Sequence, residues 1–81
     1  MYLCISGFLT DSSVDDSLKF ELALDESFNE KIANLLGHKS LNAMAEGEWR
    51  MSDEQIAQVS KAIGQPLPTH LKLFIGLEAE R

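Results

Sequence analysis

Gly47-Glu-Trp-Arg-Met-Ser-Asp-Glu-Gln-Ile-Ala-Gln-Val-Ser-Lys-Ala-Ile-Gly64 is the stretch in which the start, body and stop of one element are all written. Ser52 can accept from the free N–H groups of a first helical turn, and Gln55 can reach back to the N–H of Ser52, a capping box. Asp53 and Glu54 place negative charge at the positive end of the helix dipole. Ile56, Val59 and Ile63 recur at helical spacing, so one stripe is apolar, while Gln58 and Lys61 take the other side. Gly64 suits a left-handed cap and Pro66 cannot continue the helix. The pattern predicts a helix over Ser52–Ile63 whose apolar stripe packs on a core.

Upstream, Met1–Leu9 is rich in strand formers and predicts a strand, with Gly7 marking a bulge or bend. Thr10–Asp16 is a polar, acidic connection. Ser17–Leu24 alternates Leu18, Phe20, Leu22 and Leu24 with Lys19, Glu21 and Ala23, the period-two signature of a strand with one buried face. The two strands are expected to form an antiparallel hairpin, which needs cover because a lone hairpin is marginal in water. A helix capped by Asp25 or Ser27 and running through Leu36 offers Phe28, Ile32, Leu35 and Leu36 as that cover, with Gly37 as its stop. Leu41–Glu46 reads as a short helix, and Glu46–Met51 as a turn or brief extended piece.

Downstream, Gln65-Pro66-Leu67-Pro68 is a stiff connector. In the tail Thr69–Glu80, Leu71, Leu73, Ile75, Leu77 and Ala79 alternate with polar or small residues, and only Phe74 breaks the pattern. A strand is favoured; a helix capped at Thr69 is the alternative. The expected fold class is α+β: an N-terminal antiparallel hairpin, two to three helices on one face, and a C-terminal third strand.

The chain has 81 residues, 44% of them hydrophobic and 25% charged, which suits one soluble globular domain. No apolar run is long enough to span a bilayer, and Met1–Leu9 lacks the basic flank and cleavage site of a signal peptide. Cys4 is the only cysteine, which favours a reducing, cytoplasmic setting. The formal net charge is −6. In the first thirty positions Asp11, Asp15, Asp16, Glu21, Asp25, Glu26 and Glu30 face only Lys19. Such a chain is repelled by phosphate backbones and anionic membranes, so nucleic acid and membrane are disfavoured as partners; it could attract a protein with a basic surface, although an acidic balance also serves solubility alone.

Ile32-Ala33 with Leu36-Gly37, then Glu46-Gly47-Glu48, then Ser52, Glu54, Ile56, Val59 and Lys61-Ala62-Ile63-Gly64, then Pro66-Leu67, together resemble the back half of a Cro/repressor-like helix-turn-helix domain. That resemblance would place Ala33 and Gly37 where two helices cross closely. It would make His38–Ala45, with Lys39, Ser40 and Asn42, the recognition segment, and Ser52–Ile63 the helix that closes the bundle. It implies a DNA-binding transcription regulator as the alternative function.

No constellation of catalytic residues stands out. Cys4, His38 and His70 lack ligand-like spacing for a metal, and a Cys–His pair would need a contact that spacing does not indicate. Asp11, Asp15 and Asp16 share a loop without the alternation, Gly or terminal Glu of an EF-hand, and the glycines never cluster into a phosphate cradle. No cofactor and no catalysis are expected. Trp49 with Arg50, before a helix, is the candidate anchor for a partner, the residue types being enriched at interfaces; alternatively Trp49 covers the edge of the core. The acidic loop at Asp11, Asp15 and Asp16 is a second candidate partner contact. The expectation is a small acidic intracellular protein-binding domain of inhibitor, immunity or adaptor type, with homodimerisation through an exposed strand edge as its simplest version.

Overall fold

A computed structural model describes residues 1–10, 18–38, 44 and 47–79. The elements run β1 (Tyr2–Leu9), β2 (Phe20–Ala23), a 3-10 turn (Glu26–Phe28), α1 (Asn29–Leu35), β3 (Glu48–Arg50), α2 (Asp53–Ile63) and β4 (Leu71–Glu78). The strands form one four-stranded antiparallel sheet in the order β2-β1-β4-β3. The α+β class, the N-terminal hairpin and the strand character of the tail are as the sequence predicts.

Three details differ. The sheet has a fourth strand, because the extended alternative for Glu46–Met51 holds at Glu48–Arg50, which pairs with Phe74–Gly76, and Met51 extends the contact by donating its N–H to the Leu73 carbonyl at 2.9 Å. The C-terminal strand is central, paired on one side with β1 over eight residue pairs and on the other with β3. The helix after the hairpin starts as a 3-10 turn: Asp25 accepts from the Ser27 N–H at 2.9 Å, and α-helical bonding begins only at Asn29. The expected short helix at Leu41–Glu46 lies outside the described residues except for Met44, which is fully buried.

Period-two alternation decides which residues meet the helices. Leu3 and Ile5 of β1 and Leu71, Leu73 and Ile75 of β4 are buried on one face. Ile5 stands opposite Leu22 and Gly7 opposite Phe20, so β2 turns its apolar residues to the same side. Ile32 and Ala33 of α1, Ile56 and Val59 of α2, with Leu24, Met44, Met51 and Leu67, complete the core. Both helices therefore cover one face, and the molecule has two layers. Helix α2 forms as written: Ser52 Oγ accepts from the Gln55 N–H at 3.2 Å, Gln55 Oε1 accepts from the Ser52 N–H at 2.9 Å, and Gly64 caps the end in the left-handed region at φ 69°. Asn29, buried at the start of α1, ties that helix to the sheet by donating through Nδ2 to the Met1 carbonyl at 3.0 Å.

Candidate functional site

Trp49 lies on β3, an edge strand, directly across from Ile75, and so on the helix-covered side. Its indole is 38% exposed. One side of the ring tilts against the His38 imidazole with centroids 4.9 Å apart, and Nε1 donates to the Met44 carbonyl at 3.5 Å. Leu36, His38, Trp49, Arg50, Met51, Gln55 and Ile75 line a cleft of about 180 Å³ there. The tryptophan thus both closes the edge of the core and presents surface, combining the two roles the sequence leaves open. Its neighbour Arg50 stands opposite Phe74, which places it on the other face of the sheet. Both residues line the cleft, but their side chains leave the strand on opposite faces. Asp11, Asp15 and Asp16 lie outside the described residues.

The face of the sheet away from the helices carries a second group of residues, which the sequence reading does not single out. Tyr2, Cys4, Ser6 and Phe8 of β1 alternate there with Glu78, Gly76, Phe74 and Lys72 of β4, pair by pair. Glu21 and Ala23 of β2 flank one side, Glu48 and Arg50 of β3 the other. Phe8 and Phe74 meet edge to face with centroids 5.8 Å apart, a favoured aromatic geometry. Both are half-buried, and no described helix lies on this side.

Cys4 sits in the middle of this face. Burial pushes its thiol above the ordinary cysteine value, and the carboxylates of Glu21, Glu78 and Glu48 push it further the same way. A raised thiol pKa makes a poor nucleophile at neutral pH. His38 packs against Trp49 on the opposite side of the sheet, so Cys4 and His38 are kept apart by it. His70 is exposed on the approach to β4. Among the described residues, no group of three or more His, Cys, Asp or Glu side chains could hold a metal ion.

On the helix layer, Lys31 and Leu35 of α1 and Gln58, Lys61 and Ala62 of α2 line a shallow groove of about 420 Å³. It is the place among the described residues where two cations flank an apolar floor. Asp25, the cap of the 3-10 turn, is held ionised below the usual carboxylate range by the Ser27 N–H and then the Ser27 hydroxyl; its role is to start the helix.

The described elements define a two-layer α+β arrangement with an edge-strand aromatic cleft and a sheet face that no described helix covers. Compared with protein-family models, with curated proteins and with solved structures, the chain finds no match. No helix among the described residues is long and apolar enough to cross a membrane.

Proposed function

We propose that this protein is a binding module that docks to another protein through the β3 edge, with Trp49 as the anchor. The observation that carries this reading is the position of Trp49: a large indole, more than a third exposed, on a three-residue edge strand beside a cleft. An edge strand offers unpaired backbone groups to a partner strand, and partly exposed tryptophans are frequent energetic centres of interfaces. The net charge of −6 favours a partner with a basic surface. An inhibitor, immunity or adaptor role in the cytoplasm fits such a module, which carries no catalytic centre in this reading.

The test is an affinity purification from the native host with wild-type and Trp49→Ala baits, followed by titration of the purified partner against Trp49 emission. A partner retained by wild type, lost with Trp49→Ala and accompanied by a blue shift supports docking at β3. Identical recovery with both baits overturns it.

The other reading, a helix-turn-helix-like DNA-binding regulator, draws on the Lys31 and Lys61 groove between the helices. Its candidate recognition segment, His38–Ala45, is described only at His38 and Met44. Amide-shift titration with a short duplex at about 50 mM and about 200 mM salt decides it, since phosphate binding weakens steeply over that range. Salt-sensitive shifts in His38–Arg50 or along the groove establish the regulator; unchanged spectra retire it.

A further inference from the structure

The face of the sheet that no described helix covers is complementary to itself. Its residues lie in four rows across the strands: Tyr2 with Glu78; Ala23, Cys4, Gly76 and Glu48; Glu21, Ser6, Phe74 and Arg50; Phe8 with Lys72. The first two rows are acidic, with the Glu48 side chain leaning over Gly76, where an added Cβ would meet its Cγ at 3.1 Å. The last two rows carry Arg50 and Lys72 with the Phe8–Phe74 pair, and Glu21 stands apart at the β2 end of the Ser6 row, opposite Ala23 of the second copy in the arrangement below. None of Glu48, Arg50, Lys72 and Glu78 is held in a salt bridge by another described residue.

We propose that this face is the interface of a symmetric homodimer, packed sheet to sheet about a two-fold axis that crosses the strands between the Cys4 and Ser6 rows. Such an axis reverses strand direction while keeping each strand over its own copy, so each row meets its opposite number. Glu78 then faces Lys72 of the second copy, and Glu48 faces Arg50. Phe74 meets the Glu48 methylenes that lie over Gly76, and Tyr2 meets Phe8. Every contact occurs twice, as an isologous interface requires. Packed sheets hold their strands within about 30° of each other, an offset that the long Glu, Arg and Lys side chains can span.

Charge pattern and relief select a second copy over an unrelated partner. A basic partner would meet Arg50 and Lys72, an acidic one Glu48 and Glu78, whereas the same face inverted satisfies all four. Strand spacings of about 4.8 Å and rises of about 3.3 Å per residue give a footprint near the low end of specific interfaces. The dimer is therefore reversible and concentration-dependent. It leaves Trp49 on the outer layer and does not rest on the docking reading above.

The experiment is sedimentation velocity of wild type, Glu48→Arg, Arg50→Glu and the double swap, from about 10 μM to about 500 μM at low and high salt, with far-UV circular dichroism verifying the fold of each. Wild type should dimerise, less so at high salt, because ion pairs near the surface are screened. Each single reversal sets like charges against each other twice and should weaken association about tenfold or more. The double swap restores opposite charges and should recover it. A monomer throughout the range overturns the proposal, as does a dimer that ignores the single reversals or a folded double swap that stays monomeric. Concentration-dependent amide shifts should centre on Cys4, Ser6, Phe74 and Gly76; shifts confined to the outer edges of β2 or β3 would place the contact there and overturn it too.

Discussion

Gly7 stands so close to Phe20 that a Cβ built on it would lie 2.9 Å from the Phe20 Cβ, with Leu73 Cδ2 at 3.0 Å and Leu71 Cδ1 at 3.1 Å. Here β1 packs tightly between β2 and β4, and the missing side chain leaves room for Phe20, Leu71 and Leu73 on the core face. Gly7→Ala should destabilise the protein by about 1–3 kcal/mol, the usual cost of overpacking. Gly76→Ala meets the Cγ of a solvent-exposed glutamate instead, a side chain that can move aside. Denaturant unfolding should show a clear loss for the first variant and a much smaller one for the second.

Helix α2 depends on its two ends. Ser52→Ala removes one arm of the capping box and should cost about 1 kcal/mol. Gly64→Ala forces an alanine to φ 69° and should cost about as much or more. The two sites are at opposite ends of the helix and share no partner, so the double variant should be additive within about 0.5 kcal/mol.

Asp25 supplies an acid-sensitive step. Its folded-state carboxyl titrates below the unfolded value because it accepts from Ser27. The stabilisation is present above the ordinary carboxylate range and is lost as pH falls through the lowered value. Asp25→Asn keeps an acceptor for the Ser27 N–H but does not titrate there. Its melting temperature should fall less steeply on acidification than that of wild type; parallel curves would remove Asp25 from the acid response.

The Cys4 thiol should react slowly. With burial and then Glu21, Glu78 and Glu48 raising its pKa, alkylation at pH 8 should lag behind an unfolded control, with a pH midpoint above that of free cysteine. Glu21→Gln should move the midpoint down. Because the folded pKa is the higher one, the linked stabilisation is present at neutral pH and lost as pH rises through that raised value. Cys4→Ser should flatten the alkaline limb of the stability profile.

What could be read from the chain divides by range. Helix α2 is specified within a dozen consecutive residues, and its cap, stripe and stop appear where Ser52, Ile56, Val59 and Gly64 put them. The four-strand order is not local. A three-residue strand such as Glu48–Arg50 is too short to show a period, and only its pairing with β4 makes it one. The open face escaped notice for a related reason. In β1 the outward Tyr2, Cys4, Ser6 and Phe8 are largely apolar, and in β4 Lys72, Gly76 and Glu78 read as an ordinary solvent face, so alternation does not distinguish a solvent face from a binding face. Phe74, which interrupts the buried series Leu71, Leu73, Ile75, is the aromatic centre of the other side. Trp49 could be singled out in the sequence as a candidate anchor; that its side chain and that of Arg50 leave the strand on opposite faces required the register.

The middle of the sheet joins the two most distant strands of the chain, from Leu9 against Leu71 to Tyr2 against Glu78. Every rung of that ladder closes a loop containing both helices, β2 and β3. Neither the hairpin nor the helix pair can dock on a finished surface until that closure occurs, and the loop entropy is lost before any central contact compensates it. The order of strands thus sets a folding timescale. Domains dominated by such distant pairings fold in about milliseconds to seconds, against about microseconds to milliseconds for helical bundles rich in local contacts. During that interval the edges of β1 and β4 stand open to other chains.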